Sequence, residues 1–351
     1  MRSPSVGVVH WGVRDELAEA VTECFGALGH PVSRISPTMA GRGEVDVLFT
    51  MGPFGPITPW FSQGSLSSPQ LVVWHTEQFW DPRFPIGIGR WLSRMRSTWE
   101  RRAMSSGLRL SFIQPLMELL KDKGHRFRYF GDLMWLQQIG ALHALATPSA
   151  WTTRFLCARG LPAQHINLGS HPIWGADLRL ERDIPVLWLG KPGSRRRARL
   201  LDEIEAALAR RGVKMLRVDG IHHPYVFGPE RVELFNRARL VLNILRQPHD
   251  SNLLRLYLAA PNRAMMISEP LLPHAPFVQN RHIVYAPVAE LADTALHFLT
   301  YEQERRAIAE EAHQLVTTEL TLMHAVENFI ALLAGGWRGE GRAVSRKGKT
   351  P

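Results

Sequence analysis

Short apolar runs alternate along this chain with stretches whose apolar positions recur every three to four residues. Val6–Val9 is the first run, and residues 45–49 and 71–74 are the next two. Between the first two, Leu17, Ala20, Val21, Cys24 and Phe25 fall on one face of a helix over 15–28 that Gly29 stops. Runs this short and this apolar read as strands buried on both faces, and their alternation with helices predicts a parallel sheet covered on both sides. The second strand ends in the turn-rich Met51-Gly52-Pro53-Phe54-Gly55-Pro56, and the third at His75-Thr76-Glu77. From 132 to 171 the order is helix, strand (144–149), helix (152–159, stopped by Gly160) and a last short strand (166–169).

Residues 173–183 have no strong period and mark a linker, after which the alternation starts again. It runs through a strand at 185–189, the turn Gly190-Lys191-Pro192-Gly193-Ser194, an amphipathic helix at 195–211 and a strand at 214–218. A helix at 232–238 and a strand at 240–244 follow, leading to the polar loop Pro248-His249-Asp250-Ser251-Asn252, which opens a helix. Strands at 265–269 and 283–285, a helix at 288–299 and a helical run at 301–333, interrupted near 317–321, complete the pattern. The prediction is therefore an α/β chain of two doubly wound parallel-sheet domains, 1–178 and 179–335, with a tail at 336–351. Two such domains in series predict a ligand cleft between them, at the carboxyl ends of both sets of strands.

At 351 residues the chain suits two cores, and its 45% apolar content is that of an ordinary globular protein. No apolar run reaches the roughly 20 residues that span a bilayer, and the N-terminus does not read as a signal peptide. Cys24 and Cys157 form no framework and read as buried thiols in a reducing cytoplasm. The net charge is +10, and the tail contributes Arg338, Arg342, Arg346, Lys347 and Lys349 against Glu340. That segment is too poor in apolar residues to fold and reads as a solvated basic tail. Zinc-finger spacing, an RNA-binding aromatic signature and a basic helix with heptads are all missing, so nucleic acid is set aside as a partner.

Three regions offer chemistry. The 190–194 turn presents backbone N–H groups beside Lys191, Arg195, Arg196 and Arg197, an arrangement that attracts an anion such as a pyrophosphate, or else a solvated basic helix face. It is neither a Walker A loop nor a Gly-x-Gly-x-x-Gly fingerprint. Asp250 and Ser251 open a helix after a buried strand, either as plain N-caps or with their N–H groups turned to a ligand, and Arg255 lies one turn on. On the first domain the strand ends expose His10-Trp11-Gly12 and His75-Thr76-Glu77, where His75 or Glu77 could orient an acceptor hydroxyl. Separately, Trp91, Met95 and Trp99 recur at four-residue spacing among Arg90, Arg94, Arg96, Arg101 and Arg102. That stripe suits either an anionic membrane surface or packing on the domain's own core.

The stretch from 183 to 333 resembles the retaining GT-B glycosyltransferases, and most of all the spore-maturation-type (CgeB-like) branch of glycosyltransferase group 1. The resemblance rests on Leu242-Asn243-Ile244, the polar loop, Arg255 and Ala259-Ala260, with weaker support from Gly131-Asp132-Leu133 and Leu168-Gly169-Ser170-His171-Pro172. It implies two Rossmann-like domains facing a cleft, and a nucleotide-diphosphate sugar as donor substrate, with no other cofactor and no required metal. It assigns the donor sugar to Asp250 and the sugar and phosphate contacts to the N–H groups of Ser251, Asn252 and Leu253. The pyrophosphate falls to Lys191 with Arg195 or Arg196, in the turn of Gly190 and Ser194, with Arg246 and Arg255 as further candidates. The base falls to Asp219, Gly220 and Tyr225. Two positions depart from the pattern: Leu258 stands where a second acidic residue usually grips the ribose, and Arg263 where Gly is usual. The expected activity is transfer to a glycan, lipid-linked or small-molecule acceptor in the cytoplasm, including the inner face of the membrane. The competing expectation is a catalytically silent binding or scaffold protein of the same fold.

Overall fold

The computed structural model describes residues 3–12, 14–37, 45–52, 55–61, 69–106, 121–247 and 253–334. The expected basic tail at 336–351, together with Asp250, Ser251 and Asn252, lies outside the described residues.

The chain divides into two compact units. The first holds residues 1–13, 25–166 and 327–351, and the second holds 14–24 and 167–326. This division differs from the expected boundary at 178/179 in two ways. The main crossover falls at 166/167, and two helices are shared in sequence. Those helices are α1 (Glu16–Ala27), which changes unit after Cys24, and α10 (Leu322–Ala334), which changes unit after Val326.

The first unit is built on a six-stranded sheet of order β2-β1-β3-β4-β5-β6. Its strands are β1 (Val6–Val9), β2 (Val32–Ile35), β3 (Val47–Met51), β4 (Gln70–Trp74), β5 (Leu142–Thr147) and β6 (Gln164–His165). All of its pairings are parallel. β1 and β3 are buried along their whole length, as a sheet covered on both faces requires. β2 was not anticipated: Ser33 and Arg34 are exposed on this edge strand, so it carries no apolar run. The strand expected at 166–169 is instead the two-residue β6 just before it.

Helices α2 (Ile86–Ser106), α3 (Lys121–Gln138) and α4 (Ala150–Cys157) cover this sheet. A side chain at Gly131 would lie 2.0 Å from the Ser93 carbonyl oxygen, so glycine lets α2 and α3 meet backbone to backbone. Beside it the buried Asp132 accepts from Ser97 at 2.5 Å and from Arg128 Nε at 3.2 Å. Gly131-Asp132 thus serves a helix crossing, and burial raises the Asp132 pKa against the pull of Arg128 and Arg101. The outer face of α2 is bare: Trp91 is 57% exposed, Met95 53% and Ile88 50%. Of the two alternatives for the aromatic stripe, Trp91 and Met95 therefore do not pack on the core, while Trp99 is half-buried under Arg96. Among the described residues no helix is long and apolar enough to cross a membrane.

The second unit carries a five-stranded sheet of order β11-β10-β9-β7-β8. Its strands are β7 (Ile184–Leu189), β8 (Met215–Val218), β9 (Ala238–Asn243), β10 (Met265–Ser268) and β11 (Val284–Tyr285), again all parallel. Helices α5 (Arg195–Ala209), α6 (Gly228–Arg237), α7 (Leu254–Ala259), α8 (Leu291–Thr300), α9 (Glu302–Gln314) and α10 complete it. The long helical run breaks at a π-turn over Leu315–Glu319, close to the interruption expected. Gly169 lies against this break, where a Cβ would come within 2.0 Å of the Thr321 carbonyl carbon, and Ser170 pairs with Thr321 as a parallel bridge. Segment 14–24 joins the second unit through Glu16, which accepts from Gly228 N at 2.7 Å and pairs with Arg231 at the start of α6. Of the two thiols expected to be buried, Cys24 is buried, but Cys157 is exposed at the end of α4, where the helix turns its last residues to solvent.

In both sheets the strand order reverses direction once, between β1 and β3 and between β7 and β9. Loops leave such a point in opposite directions and open a crevice at the carboxyl ends of the strands.

Candidate functional site

At the second sheet's reversal point the loops after β7 and β9 part, and the Arg255 guanidinium spans the opening. Its Nε donates to the Leu189 carbonyl at 2.9 Å, and its Nη1 donates to Asn243 Oδ1 at 2.8 Å. The group also lies over the Trp188 ring, 4.0 Å from the centroid. Arg255, a candidate phosphate contact, thus has a structural engagement at the centre of the expected donor edge.

The β7–α5 turn wraps this guanidinium. Gly190 has φ of 145°, and a Cβ there would sit 2.4 Å from Arg255 Nη2. Gly193 has φ of 65° and continues the turn to Ser194, which caps α5 by accepting from Arg197 N at 3.2 Å. Lys191 and Arg195 are exposed, and among the described residues neither has a carboxylate partner. Arg196 differs: it grips the buried Glu269 with both Nη groups, at 3.0 and 2.6 Å, and donates to the Leu245 carbonyl at 2.9 Å. A guanidinium held bidentately by a buried carboxylate holds the loop after β9 and has little left for an external phosphate. The sequence left Lys191 to be matched with Arg195 or Arg196, and the geometry favours Arg195. Arg246 lies near the same turn, with its Nε 3.4 Å from the Cβ position of Gly193.

After β8, Asp219 is buried and folds the loop onto itself. Its Oδ1 accepts from the N–H groups of Ile221 and His222, both at 2.8 Å, and its Oδ2 meets His222 Nδ1 at 2.8 Å. Burial by itself would raise this carboxyl, but the His222 and Ile221 hydrogen bonds overcome it and hold the pKa below the ordinary carboxylate value. Asp219 therefore shapes the loop. Gly220 follows in the left-handed region with φ of 80°, where a Cβ would press on the Tyr225 ring at 3.0 Å. Tyr225 is half-buried, with Lys191 Nζ 5.7 Å from its ring centre. Burial raises its phenol pKa, against the charge of Arg255.

Leu253 is buried at the N-cap position of α7. Leu258, expected from the resemblance to replace a second acidic residue, packs against an apolar cluster that includes Val226, Phe235 and Ala259. Arg263 sits at φ of 53°, a left-handed conformation that glycine adopts without strain; its Nε pairs with Glu310 at 2.7 Å.

On the first sheet the reversal point is bridged by Trp11, which donates from Nε1 to the Met51 carbonyl at 2.8 Å. His10 follows β1 and donates its N–H to Ile35. His75 is 1% exposed, its ring 4.2 Å from that of Phe79 and 5.4 Å from that of Tyr129. Burial pushes its pKa down to about 3, against a hydrogen bond with the Glu77 backbone, so the ring is neutral at ordinary pH. In this position His75 braces the turn, and of the two acceptor candidates only the half-buried Glu77 reaches solvent.

Residues 195–331 match the model of a family described as glycosyl transferase-like. The solved structures resembling this chain include Anabaena HepE in complex with UDP-glucose. It is 10% identical with a TM-score of 0.54, over 95% of this chain and 100% of that one. Sucrose-phosphate synthase from Thermosynechococcus elongatus is 11% identical with a TM-score of 0.57, over 95% and 99%. AviGT4, a glycosyltransferase involved in avilamycin A biosynthesis, is 14% identical with a TM-score of 0.55, over 95% and 100%.

The fold is GT-B.

Comparison of the sequence with curated proteins found no match. Within this GT-B chain three residues at the second sheet's edge carried no assigned role in the sequence reading: Trp188, Asn243 and Glu269. Asn243 and Glu269 each close a buried apolar run, and a polar residue in that place is the available signal. Trp188, inside its run, offered none.

Proposed function

We propose that this protein is a glycosyltransferase of the spore-maturation-type branch. It would move a sugar from a nucleotide-diphosphate donor to a hydroxyl of a glycan, lipid-linked or small-molecule acceptor in the cytoplasm. The observation that carries the reading is the β7–α5 turn. Two left-handed glycines open its backbone, Lys191 and Arg195 stand exposed beside it with no carboxylate partner among the described residues, and Arg255 holds the strand ends beneath it. The match of 195–331 to the glycosyl transferase-like model supports the same edge.

In this reading the bond from the anomeric carbon to the diphosphate breaks with its electron pair. The acceptor oxygen takes its place with retention, and the hydroxyl proton passes to the departing diphosphate. Lys191, Arg195 and the N–H groups of the turn stabilise the charge growing on that diphosphate. Asp250 and the N–H groups of Ser251 and Asn252 hold the sugar, Tyr225 and Gly220 flank the base, and Glu77 meets the acceptor. The chain lacks an Asp-x-Asp motif, and we assign the reaction no divalent metal. HepE was solved with UDP-glucose, which makes uridine diphosphate sugars the first donors to try. The bare face of α2, with exposed Arg90 and Arg94 beside Trp91 and Met95, favours an acceptor presented at an anionic membrane surface.

The test is thermal unfolding of the purified protein against a panel of nucleotides and nucleotide sugars, followed by assays of donor hydrolysis and transfer. A ligand that binds only the folded form stabilises it by about 2.7 kcal/mol at a hundred times its dissociation constant. A shift with one diphosphate sugar, followed by its turnover, is expected. A shift without turnover would favour the silent scaffold, which the apolar setting of Leu258 supports. No shift with any of them would end the glycosyltransferase reading.

A further inference from the structure

Opposite the donor edge, at the amino ends of the second sheet's strands, arginines gather. Arg182 precedes β7, Arg239 is the second residue of β9, Arg263 precedes β10, and Arg305 and Arg306 come from α9. They line one cavity of about 540 Å³ with three glutamates, a net of two positive charges.

Two of the three glutamates are used by part of the group, and the exposed Glu181 forms no ion pair among the described residues. Glu302 serves Arg305 at 3.4 Å and Arg306 at 2.5 Å, and Glu310 takes Arg263. Among the described residues, Arg182 and Arg239 have no carboxylate within ion-pair distance. Arg182 is fixed by backbone carbonyls: Nη1 donates to Ala238 at 2.5 Å and Nη2 to Asn262 at 2.8 Å. Arg239 donates Nε to the Arg182 carbonyl at 2.7 Å, and its two Nη groups have no acceptor among the described residues. Burial first, and then the charges of Arg305, Arg306 and Arg263, lower the Arg182 pKa. The group as assembled is self-repelling, and an anion in the cavity removes that cost.

We propose that this cavity is a second anion site, separate from the donor edge, that takes a phosphate-bearing ligand. A phosphate monoester carries up to two negative charges and three acceptor oxygens, which matches the net charge of the lining and the planar forks that guanidinium groups present. Arg182 also ties the start of β9 to the turn before β10, so a ligand held here tightens the amino edge of the sheet.

The experiment is thermal unfolding of the full chain with inorganic phosphate and inorganic pyrophosphate, against chloride at equal ionic strength. With inorganic phosphate, wild type and the donor-edge variant Lys191→Gln are expected to gain the same upward shift, and with pyrophosphate Lys191→Gln loses only the part of the response that belongs to the donor edge. In Arg239→Gln the apparent dissociation constant is expected to rise roughly tenfold or more, as the loss of charged hydrogen bonds implies. If that variant does not fold, Arg306→Gln, whose side chain is 75% exposed, takes its place. Phosphatidic acid vesicles, whose headgroup is itself a phosphate monoester, distinguish the source. Binding that Arg239→Gln abolishes assigns the phosphate to a lipid headgroup, and binding indifferent to Arg239 assigns it to a free small molecule. No shift in the wild type, or a shift untouched by the arginine variant, overturns the proposal.

Discussion

Arg255 Nη1 and Asn243 Oδ1 lie 2.8 Å apart, and this bond joins a helix to the end of the central strand of the second sheet. It continues on both sides: Arg255 Nε reaches the Leu189 carbonyl on β7, and Asn243 Nδ2 donates to Ser268 on β10 at 3.0 Å. Three strand ends and α7 are therefore held by one line of side chains at the edge proposed to take the donor. Arg255→Ala leaves two part-buried acceptors unmatched and is expected to cost about 1.5–3 kcal/mol in urea unfolding. Arg255→Lys is expected to recover only part of this, because an ammonium cannot serve two divergent acceptors as a fork does.

Gly190 is set by the same guanidinium. An alanine there would be strained at φ of 145° and would meet Arg255 Nη2 at 2.4 Å. Gly190→Ala is expected to weaken nucleotide binding, measured by calorimetry, far more than Gly193→Ala. The latter carries mainly a left-handed backbone cost of about 1–2 kcal/mol and meets its nearest neighbour at 3.4 Å.

Leu258→Glu tests the departure from the family pattern. The carboxylate would enter an apolar cluster with Val226 and Phe235, so a loss of about 1–3 kcal/mol of stability is expected, without a gain in donor affinity. Tighter binding of a nucleotide sugar by this variant would show that the ribose-gripping position survives and that leucine has disabled it.

His75 makes stability depend on pH in a defined window. Its folded pKa, about 3, lies below its ordinary value of 6.5, so below pH 6.5 the unfolded chain takes up a proton that the folded one refuses. Its contribution is complete above that pH and is lost as pH falls toward 3, by about 1.4 kcal/mol per unit. The melting temperature of the wild type is expected to fall more steeply between pH 6.5 and 4 than that of His75→Gln.

The outer face of α2 predicts selective adhesion. Sedimentation with phosphatidylglycerol vesicles is expected to carry the protein down, and neutral phosphatidylcholine vesicles should not. Trp91→Ser with Met95→Ser removes apolar area, and Arg90→Gln with Arg94→Gln removes charge; each pair is expected to weaken the binding. Equal binding to both lipids would show that the arginines play no part.

Much of the architecture was legible before any coordinates. Fully buried parallel strands such as β3 and β9 are continuous apolar runs, and these stand out in sequence because both faces must be apolar. β2 escaped because an edge strand needs only one buried end, and Val32–Ile35 spends its middle on Ser33 and Arg34. At the candidate site, Gly190, Gly193 and the basic cluster were visible as residue types, but their division of labour was not. Arg195 and Arg196 are adjacent and chemically identical; one is exposed, and the other is locked to Glu269, 73 residues away.

By itself the sequence determined the alternation, the two parallel sheets and the turn where backbone N–H groups and cations meet, because periodicity and glycine placement are local properties of the chain. Only the tertiary structure decided which charges are spent and which remain. Glu269 takes Arg196, Asn243 takes Arg255, and the Asp219 carboxylate closes its own loop, while Arg182 and Arg239 are left facing other arginines. Such pairings depend on distances between residues remote in sequence, and a partner brought within 3 Å by folding leaves no trace in the spacing along the chain.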